Sequence, residues 1–343
     1  MLLGHEKVNI LNLPTPLEYL PNISEELGVE FYIKRDDLTG IGLGGNKLRK
    51  LEYILREAQN KGATMLLTRG GVQTNHGRLT AAVAAKYGMK CAIVSVGEYP
   101  GELSANLLLD RILGAEVIIK ESDGRPEEEQ YDELIADVME EYEAKGEVIH
   151  YTPLGGSDDF GFLGYYECAR ELTQQAAGKG IENARVFTAV GSIGTFMGLY
   201  CGLKNEKSPL DCEGIAIMPF DEYKDRSIVE YFESVKVKYN LAMESDLEDF
   251  KIQRGYVRGG YNQPSKEVRE AIYLMAGKEA IFLDPCYTGK CFAAMLDMIK
   301  EDKIKQGEKV IFVHTGGIPG LYTKHHRLEF EKELISGVKI IKK

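Results

Sequence analysis

Short apolar runs alternate with helical segments along most of the chain, and this alternation restricts the fold more than any other feature of the sequence. Thr64-Met65-Leu66-Leu67-Thr68 reads as a buried strand, Asn75 to Tyr87 as an Ala-rich helix closed by Gly88, and Cys91-Ala92-Ile93-Val94-Ser95-Val96 as the next strand. Leu103 to Leu113 reads as helix, Glu116 to Lys120 as strand, Pro126 to Ala144 as an acidic surface helix, and Glu147 to Tyr151 as strand. A second series has helices at Phe160 to Ala177, Ser227 to Tyr239, Lys266 to Ala276 and Gly289 to Lys300. Its strands are expected at Val186–Val190, Ile215–Met218, Ala280–Leu283 and Val310–Val313. Before both series, Leu11 to Leu17 is an extended segment fixed by prolines, Phe31 to Arg35 a strand, and Asp36 to Gly40 a turn. Repeated β-α-β over 343 residues predicts an α/β fold of two lobes, each an open, mostly parallel twisted sheet flanked by helices. Breaks near Lys50 and at Gly155-Gly156 set the expected boundaries: residues 1–50 with 156–343 form a large lobe, and 51–155 a small α/β lobe.

Composition narrows the partners. A net charge of −11 argues against nucleic acid and against an anionic membrane surface. No apolar run approaches the roughly 20 residues of a membrane span. The first residues, Met1-Leu2-Leu3-Gly4-His5-Glu6, lack the layout of a signal peptide. The six cysteines are scattered, with no CxxC pair, so reduced thiols in a cytoplasmic protein are expected and no metal site.

In open α/β sheets ligands bind beyond the carboxyl ends of strands. Four such loops here are rich in small and polar residues: Gly70 to His76, Gly191 to Thr195, Asp284 to Lys290, and His314 to Gly317. The loop Gly191-Ser192-Ile193-Gly194-Thr195 follows a strand and opens a helix, so its free N–H groups suit a phosphate. Ordinary turn chemistry also fits it. Thr74-Asn75-His76 also reads as a plain N-cap, and Arg78 as a surface cation. In Leu43-Gly44-Gly45-Asn46-Lys47 a lysine stands at the start of a helix whose apolar face is Leu48, Leu51, Ile54, Leu55 and Ala58. A cation is poorly placed at the positive end of a helix dipole, a setting that lowers an amine pKa as a Schiff-base lysine needs. A solvated lysine after a glycine turn is the other reading. Jointly these features fit one cofactor, pyridoxal 5′-phosphate, which needs an amine, phosphate donors, and partners for its ring hydroxyl and ring nitrogen.

Lys34-Arg35-Asp36-Asp37-Leu38, Leu43 to Leu51, and Gln73-Thr74-Asn75-His76 with Arg78, Thr80 and Ala81 to Ala84 resemble the D-cysteine desulfhydrase and 1-aminocyclopropane-1-carboxylate (ACC) deaminase family, fold-type II pyridoxal-phosphate enzymes related to the tryptophan synthase β-subunit. The resemblance runs from Pro14 to about Tyr322 and makes the large lobe the cofactor-binding one. It implies that Lys47 carries the cofactor, that Asn75 bonds the ring hydroxyl, and that Gly191 to Thr195 hold the phosphate. Thr74, Asn75 and His76 would face the carboxylate of a small amino-acid substrate. Tyr261 and Tyr287 would be the two active-site tyrosines, and Thr288 and Thr315 would lie near the ring nitrogen. A homodimer is implied as well.

Two positions depart from the family pattern. Thr74 replaces the usual serine, and its methyl is expected to narrow the pocket. Thr288 stands where the deaminases have a glutamate. A hydroxyl there leaves the ring a weaker electron sink, which favours loss of a good leaving group from Cβ over opening of a cyclopropane. The expected activity is therefore that of a D-cysteine desulfhydrase. ACC, L-cysteate, diaminopropionate and D-serine are the alternative substrates. A non-catalytic pyridoxal-phosphate carrier is the rival outside the class. A nucleotide-binding α/β protein is disfavoured, because neither GxGxxG nor GxxxxGK[ST] occurs.

Overall fold

The computed structural model describes residues 1–341. Among them ten strands form two sheets. In chain order these are β1 (Leu17–Tyr19), β2 (Glu30–Lys34), β3 (Met65–Arg69), β4 (Lys90–Val96), β5 (Glu116–Lys120), β6 (Ile149–Thr152), β7 (Arg185–Val190), β8 (Asp211–Ala216), β9 (Ile252–Gln253) and β10 (Lys309–Val313). The helices are α1 (Pro21–Leu27), α2 (Lys47–Asn60), α3 (Asn75–Lys86), α4 (Ala105–Ile112), α5 (Glu127–Ala144) and α6 (Asp159–Gly178). They continue as α7 (Gly194–Asn205), α8 (Glu222–Tyr239), α9 (Lys266–Glu279), α10 (Thr288–Lys300) and α11 (Lys324–Leu334).

The larger sheet runs β1-β2-β10-β7-β8-β9 and the smaller β5-β4-β3-β6. Only β1, paired with β2, is antiparallel. The smaller sheet is parallel throughout. Helices cover both faces, so the central strands are apolar on both sides: Val186 to Val190 of β7 and Val310 to Val313 of β10 are all buried. The helix α2 buries Leu48, Leu51, Ile54, Leu55 and Ala58, the helical stripe visible in the sequence. Those side chains pack with Leu66 of β3 and Leu79 of α3.

One expected strand is absent. Residues Ala280 to Leu283 form a connection outside both sheets. Ala280 ends α9 in a left-handed conformation (φ 56°). The strand β10, which the segment approaches, is already paired on both edges, with β2 and β7. The strand expected at Ile215–Met218 lies earlier, at Asp211–Ala216. The elements β1, β9, α1 and α11 had no counterpart in the sequence reading. β9 has two residues, and α11 buries only His326, so neither carries a pattern to read.

The start of α2 is fixed by a buried charge network. Arg49 donates from Nε to Asp36 Oδ2 at 2.7 Å and from Nη2 to Asp36 Oδ1 at 2.9 Å. The same guanidinium reaches both carboxylate oxygens of Glu171 on α6, at 2.9 and 3.1 Å. Tyr165 and Thr15 donate to the remaining sites of Asp36, at 2.6 and 2.8 Å, and Lys34 pairs with Glu171. Asp36 and Arg49 are almost wholly buried. Burial opposes ionisation of Asp36, but the Arg49 and Lys34 charges prevail and hold its pKa down to about 2.

Asp36 therefore binds its proton less tightly folded than unfolded. Its stabilisation is complete above about pH 5 and is lost as the pH falls through the folded value near 2. Asp36→Asn should lower unfolding free energy by about 3 kcal/mol or more at pH 7, because it leaves a buried guanidinium short of charge. The variant should also show a shallower loss of stability between pH 5 and pH 2, measured by urea unfolding. Equal midpoints for the two proteins across that range would contradict this role.

Candidate active site

The carboxyl ends of β3, β6, β7, β8 and β10 open on one cavity of about 500 Å³. Of the residues singled out in the sequence, Lys47, Thr74, Asn75, His76, Gly191, Ser192, Ile193, Thr195, Tyr261, Tyr287 and Thr315 line it. Gly194 stands within the same loop, just behind the wall. Thr288 is not brought to the cavity.

Lys47 is the first residue of α2. The turn before it needs its two glycines. Gly44 has φ 66° and Gly45 φ 127°, and a β-carbon on Gly44 would lie 2.1 Å from the carbonyl oxygen of Asp37. Lys47 Nζ donates to the Gly155 carbonyl at 2.9 Å and reaches Ser192 Oγ at 3.4 Å. No carboxylate pairs with it, and burial pulls its pKa down to about 8. One helical turn on, Lys50 donates to the same carbonyl at 3.0 Å and to Ser157 Oγ at 3.2 Å. Burial, and then the charge of Lys47, push Lys50 well below the usual lysine range. Two amines thus converge on one neutral oxygen, an arrangement that a bound anion would relieve.

The loop between β7 and α7 is the candidate place for such an anion. Ile193 adopts φ 71°, so the loop curls tightly into the helix, and the first-turn amides of α7 have no partner within the helix. Gly194 N donates to Ser157 Oγ at 3.2 Å. A β-carbon on Gly194 would stand 2.7 Å from Lys50 Nζ, so glycine lets the loop close over the second lysine. Asn46, next to Lys47, donates from Nδ2 to Thr195 Oγ1 at 2.9 Å and ties this loop to the lysine. Asn46, Lys50, Gly155 and Ser157 were not among the site residues of the sequence reading. The i, i+3 spacing of Lys47 and Lys50 on a helix with a buried face was the available signal.

Thr74 caps α3, its Oγ1 accepting from Gly77 N at 3.2 Å. Its methyl is seated over Gly77, 2.4 Å from the place a β-carbon would take there. The methyl fills the room left by that glycine. His76 is 2% exposed, and neither ring nitrogen has a partner. Burial, with the charges of Lys47 and Lys50, keeps the ring neutral. Arg78, which read as a surface cation, is buried, and its Nη1 donates to Asn75 Oδ1 at 2.7 Å. The hydroxyls of Tyr261 and Tyr287 bond to each other at 2.7 Å. Desolvation pushes both phenols above their usual range, so each stays protonated at neutral pH.

Thr288 follows the lining residue Tyr287 and is itself tied into a helix start. Its hydroxyl donates to Asp284 Oδ1 at 2.7 Å and accepts from Asp284 N at 2.8 Å, so it closes the start of α10. Of the two threonines expected near a ring nitrogen, only Thr315 lines the cavity. The cavity's carboxylates, Glu127, Glu128 and Asp221, are exposed and belong to the starts of α5 and α8.

A depressed amine, the helix-start amides of α7 beside a second lysine, the Asn75 amide and the Thr315 hydroxyl match the demands of pyridoxal 5′-phosphate. The family of pyridoxal-phosphate dependent enzymes matches residues 8–316 of the chain. The chain belongs to that family. It is a pyridoxal-phosphate-dependent enzyme with the fold-type II architecture. A D-cysteine desulfhydrase from Klebsiella pneumoniae is 38% identical over 332 residues, which cover 94% of this chain and 97% of the relative. A protein from Pyrococcus furiosus, provisionally named a 1-aminocyclopropane-1-carboxylate deaminase, is also 38% identical, over 92% of this chain and 93% of its own. The crystal structure of an ACC deaminase homologue superposes with a TM-score of 0.84 at 34% identity, covering 98% of this chain and 97% of that one. Among the described residues no helix is long and apolar enough to cross a membrane, and no group of three or more His, Cys, Asp or Glu could hold a metal ion.

The lowered pKa of Lys47 has a direct test. Below its pKa the amine is protonated and cannot attack an aldehyde; above it the free base can. Covalent capture of added pyridoxal 5′-phosphate by the apoenzyme should rise with a midpoint near pH 8. A midpoint near 10.5, the ordinary lysine value, would contradict the burial argument. Stopped-flow absorbance across pH 6–11 (roughly the span of ordinary and lowered lysine values) measures it.

Proposed function

We propose that the protein is a D-cysteine desulfhydrase, which converts D-cysteine and water to pyruvate, hydrogen sulfide and ammonia. The observation that carries this reading is Thr315 in the lining: a hydroxyl is what this position offers a ring nitrogen, while the lining carboxylates Glu127, Glu128 and Asp221 stand at the exposed starts of α5 and α8. The bound cofactor withdraws electrons from the substrate's α-carbon and so acidifies its proton. In this reading Lys47 carries the cofactor, Gly191 to Thr195 hold its phosphate, and Asn75 donates to its ring hydroxyl. The start of α3, with Thr74, Asn75 and His76, receives the substrate carboxylate at the positive end of the helix dipole. Lys47 Nζ, with a pKa near 8, is matched to taking the α-proton near neutral pH. The Tyr287 phenol, held by Tyr261, stays protonated and can pass its proton to the departing sulfur.

A carboxylate beside a ring nitrogen holds a proton on it, whereas a hydroxyl does not. Weak electron withdrawal suits a substituent that leaves readily, as thiolate does, and serves the opening of a cyclopropane poorly. The relative from Klebsiella pneumoniae supports the desulfhydrase reading. The relative from Pyrococcus furiosus supports the second one, an ACC deaminase, at equal identity. On the same reading the enzyme works in the cytoplasm as a homodimer, and its smaller lobe begins after Lys50 and ends at Gly155.

The deciding experiment supplies purified holoenzyme with D-cysteine, ACC, L-cysteate, diaminopropionate and D-serine in parallel. Sulfide and pyruvate are followed for the first substrate, 2-oxobutyrate for ACC, and pyruvate for the others. D-cysteine should give the highest kcat/KM, with little or no 2-oxobutyrate from ACC. Efficient ACC deamination without sulfide release from D-cysteine would reverse the assignment. A cofactor absorbance that no amino acid perturbs would indicate a carrier.

A further inference from the structure

The orientation of the Asn75 amide is not free. Its Oδ1 accepts from Arg78 Nη1 at 2.7 Å and from Asn106 Nδ2 at 3.0 Å. A guanidinium has no acceptor, so the amide atom that faces it must be the oxygen. The two N–H groups of Asn75 are then the ones left for the cavity that this residue lines. Without Arg78 the amide could turn over and present an oxygen instead.

Arg78 is itself over-determined. It is 1% exposed, and no carboxylate touches it. Its Nε donates to the Gly42 carbonyl at 2.9 Å and its Nη2 to the Gly44 carbonyl at 3.0 Å, both in the turn that leads into Lys47. Its Nη1 is shared with Asn106 Oδ1. Asn106 is fixed in turn by Gln73: its Nδ2 donates to the Gln73 carbonyl at 2.8 Å, and its backbone N donates to Gln73 Oε1 at 2.9 Å. The nearby Asp110 is fully buried and its carboxylate oxygens have no hydrogen-bond partner; burial raises its pKa to about 7, so near neutral pH it supplies only part of a countercharge, at a distance. All the contacts of the guanidinium are thus to oxygens of fixed backbone or fixed amides, a geometry that a point-like ammonium does not reproduce.

We propose that Arg78 is a positioning residue for the cofactor: by occupying Asn75 Oδ1 it makes Asn75 an obligate donor toward the cofactor's ring hydroxyl. This rests on the reading that pyridoxal 5′-phosphate binds at Lys47 and Asn75. It adds a residue that touches neither cofactor nor substrate and still sets the strength of one contact.

The test is a double-mutant cycle on cofactor binding, read by titrating apoenzyme with pyridoxal 5′-phosphate and by the pH midpoint of the bound cofactor's absorption. Arg78→Lys should weaken binding about tenfold or more and move that midpoint, as expected for losing a hydrogen bond to a charged group. In the Asn75→Ala background the same change should have little further effect on either readout. Equal losses in both backgrounds would overturn the proposal, since Arg78 would then act through the fold alone. Asn75→Asp covers the case in which Arg78→Lys fails to fold. The aspartate keeps Arg78 paired but turns an acceptor toward the ring hydroxyl. It should weaken binding about tenfold or more and raise the midpoint, through a nearby negative charge. Unchanged affinity and midpoint in Asn75→Asp would overturn the proposal. The underlying reading is checked separately by borohydride reduction of wild-type holoenzyme and peptide mapping. A pyridoxyl group on Lys47 upholds the site, and a label on another lysine rejects the site itself.

Discussion

The buried contact between Arg49 and Asp36 is the constraint on which the site depends. It lies two residues past Lys47, and it draws together the end of β2, the first turn of α2 and, through Glu171 and Tyr165, the middle of α6. A helix start held on three sides cannot slide or roll, so the amines of Lys47 and Lys50 meet the Gly155 carbonyl in one arrangement. The cost of desolvating these charges is offset by saturating them: Asp36 accepts from a guanidinium, a phenol and a hydroxyl, and Arg49 donates to two carboxylates. Leaving any of those donors or acceptors unmatched in a dry interior would weaken the whole array.

Around that anchor the site divides its work between rigid and strained parts. The rigid parts are helix starts, which supply amides and positive dipole ends from α3 and α7. The strained parts are the glycine turn before Lys47 and the left-handed Ile193, where backbone is bent to bring a donor to the cavity. Charge is placed with similar economy. Lys47, Lys50 and His76 lie close together without a carboxylate partner, so burial and mutual repulsion shift each toward its neutral form, and an anion entering the pocket would ease that strain. A phosphate and a carboxylate are the groups such a pocket attracts.

Much of this was legible in the sequence, for identifiable reasons. Central strands of a parallel sheet are apolar on both faces, so β3, β4, β7 and β10 announce themselves as continuous runs. The stripe on α2 and the glycines before Lys47 have periodicity or chirality that a sequence records directly. Ala280 to Leu283 misled because a short apolar run reads like a strand: Ile281 and Leu283 are buried while Ala280 and Phe282 are exposed, and only the pairing of β10 shows that no edge is free. Arg78 and Lys50 were illegible for the opposite reason. A lone cation in a helical pattern reads as solvated, and its burial depends on carbonyls supplied from elsewhere in the chain. Thr288 shared its motif with site residues, but a four-residue turn gave its hydroxyl to Asp284.

The place of β2 in the larger sheet bears on how the molecule comes into being. Its residues, 30–34, lie between β1 and β10, and β10 is made of residues 309–313. A nascent chain therefore carries β2 with one edge open, and the turn before Lys47 half built, until residue 313 has left the ribosome. The smaller sheet, whose strands all fall between residues 65 and 152, has no such wait. Lys47 is made before its partners: its carbonyl partner Gly155, the loop at Gly191 and the wall at Thr315 arrive in that order behind it. Assembly of the cavity thus waits for residue 315, and every earlier intermediate exposes an unpaired strand edge to whatever chaperones or neighbours the cell provides.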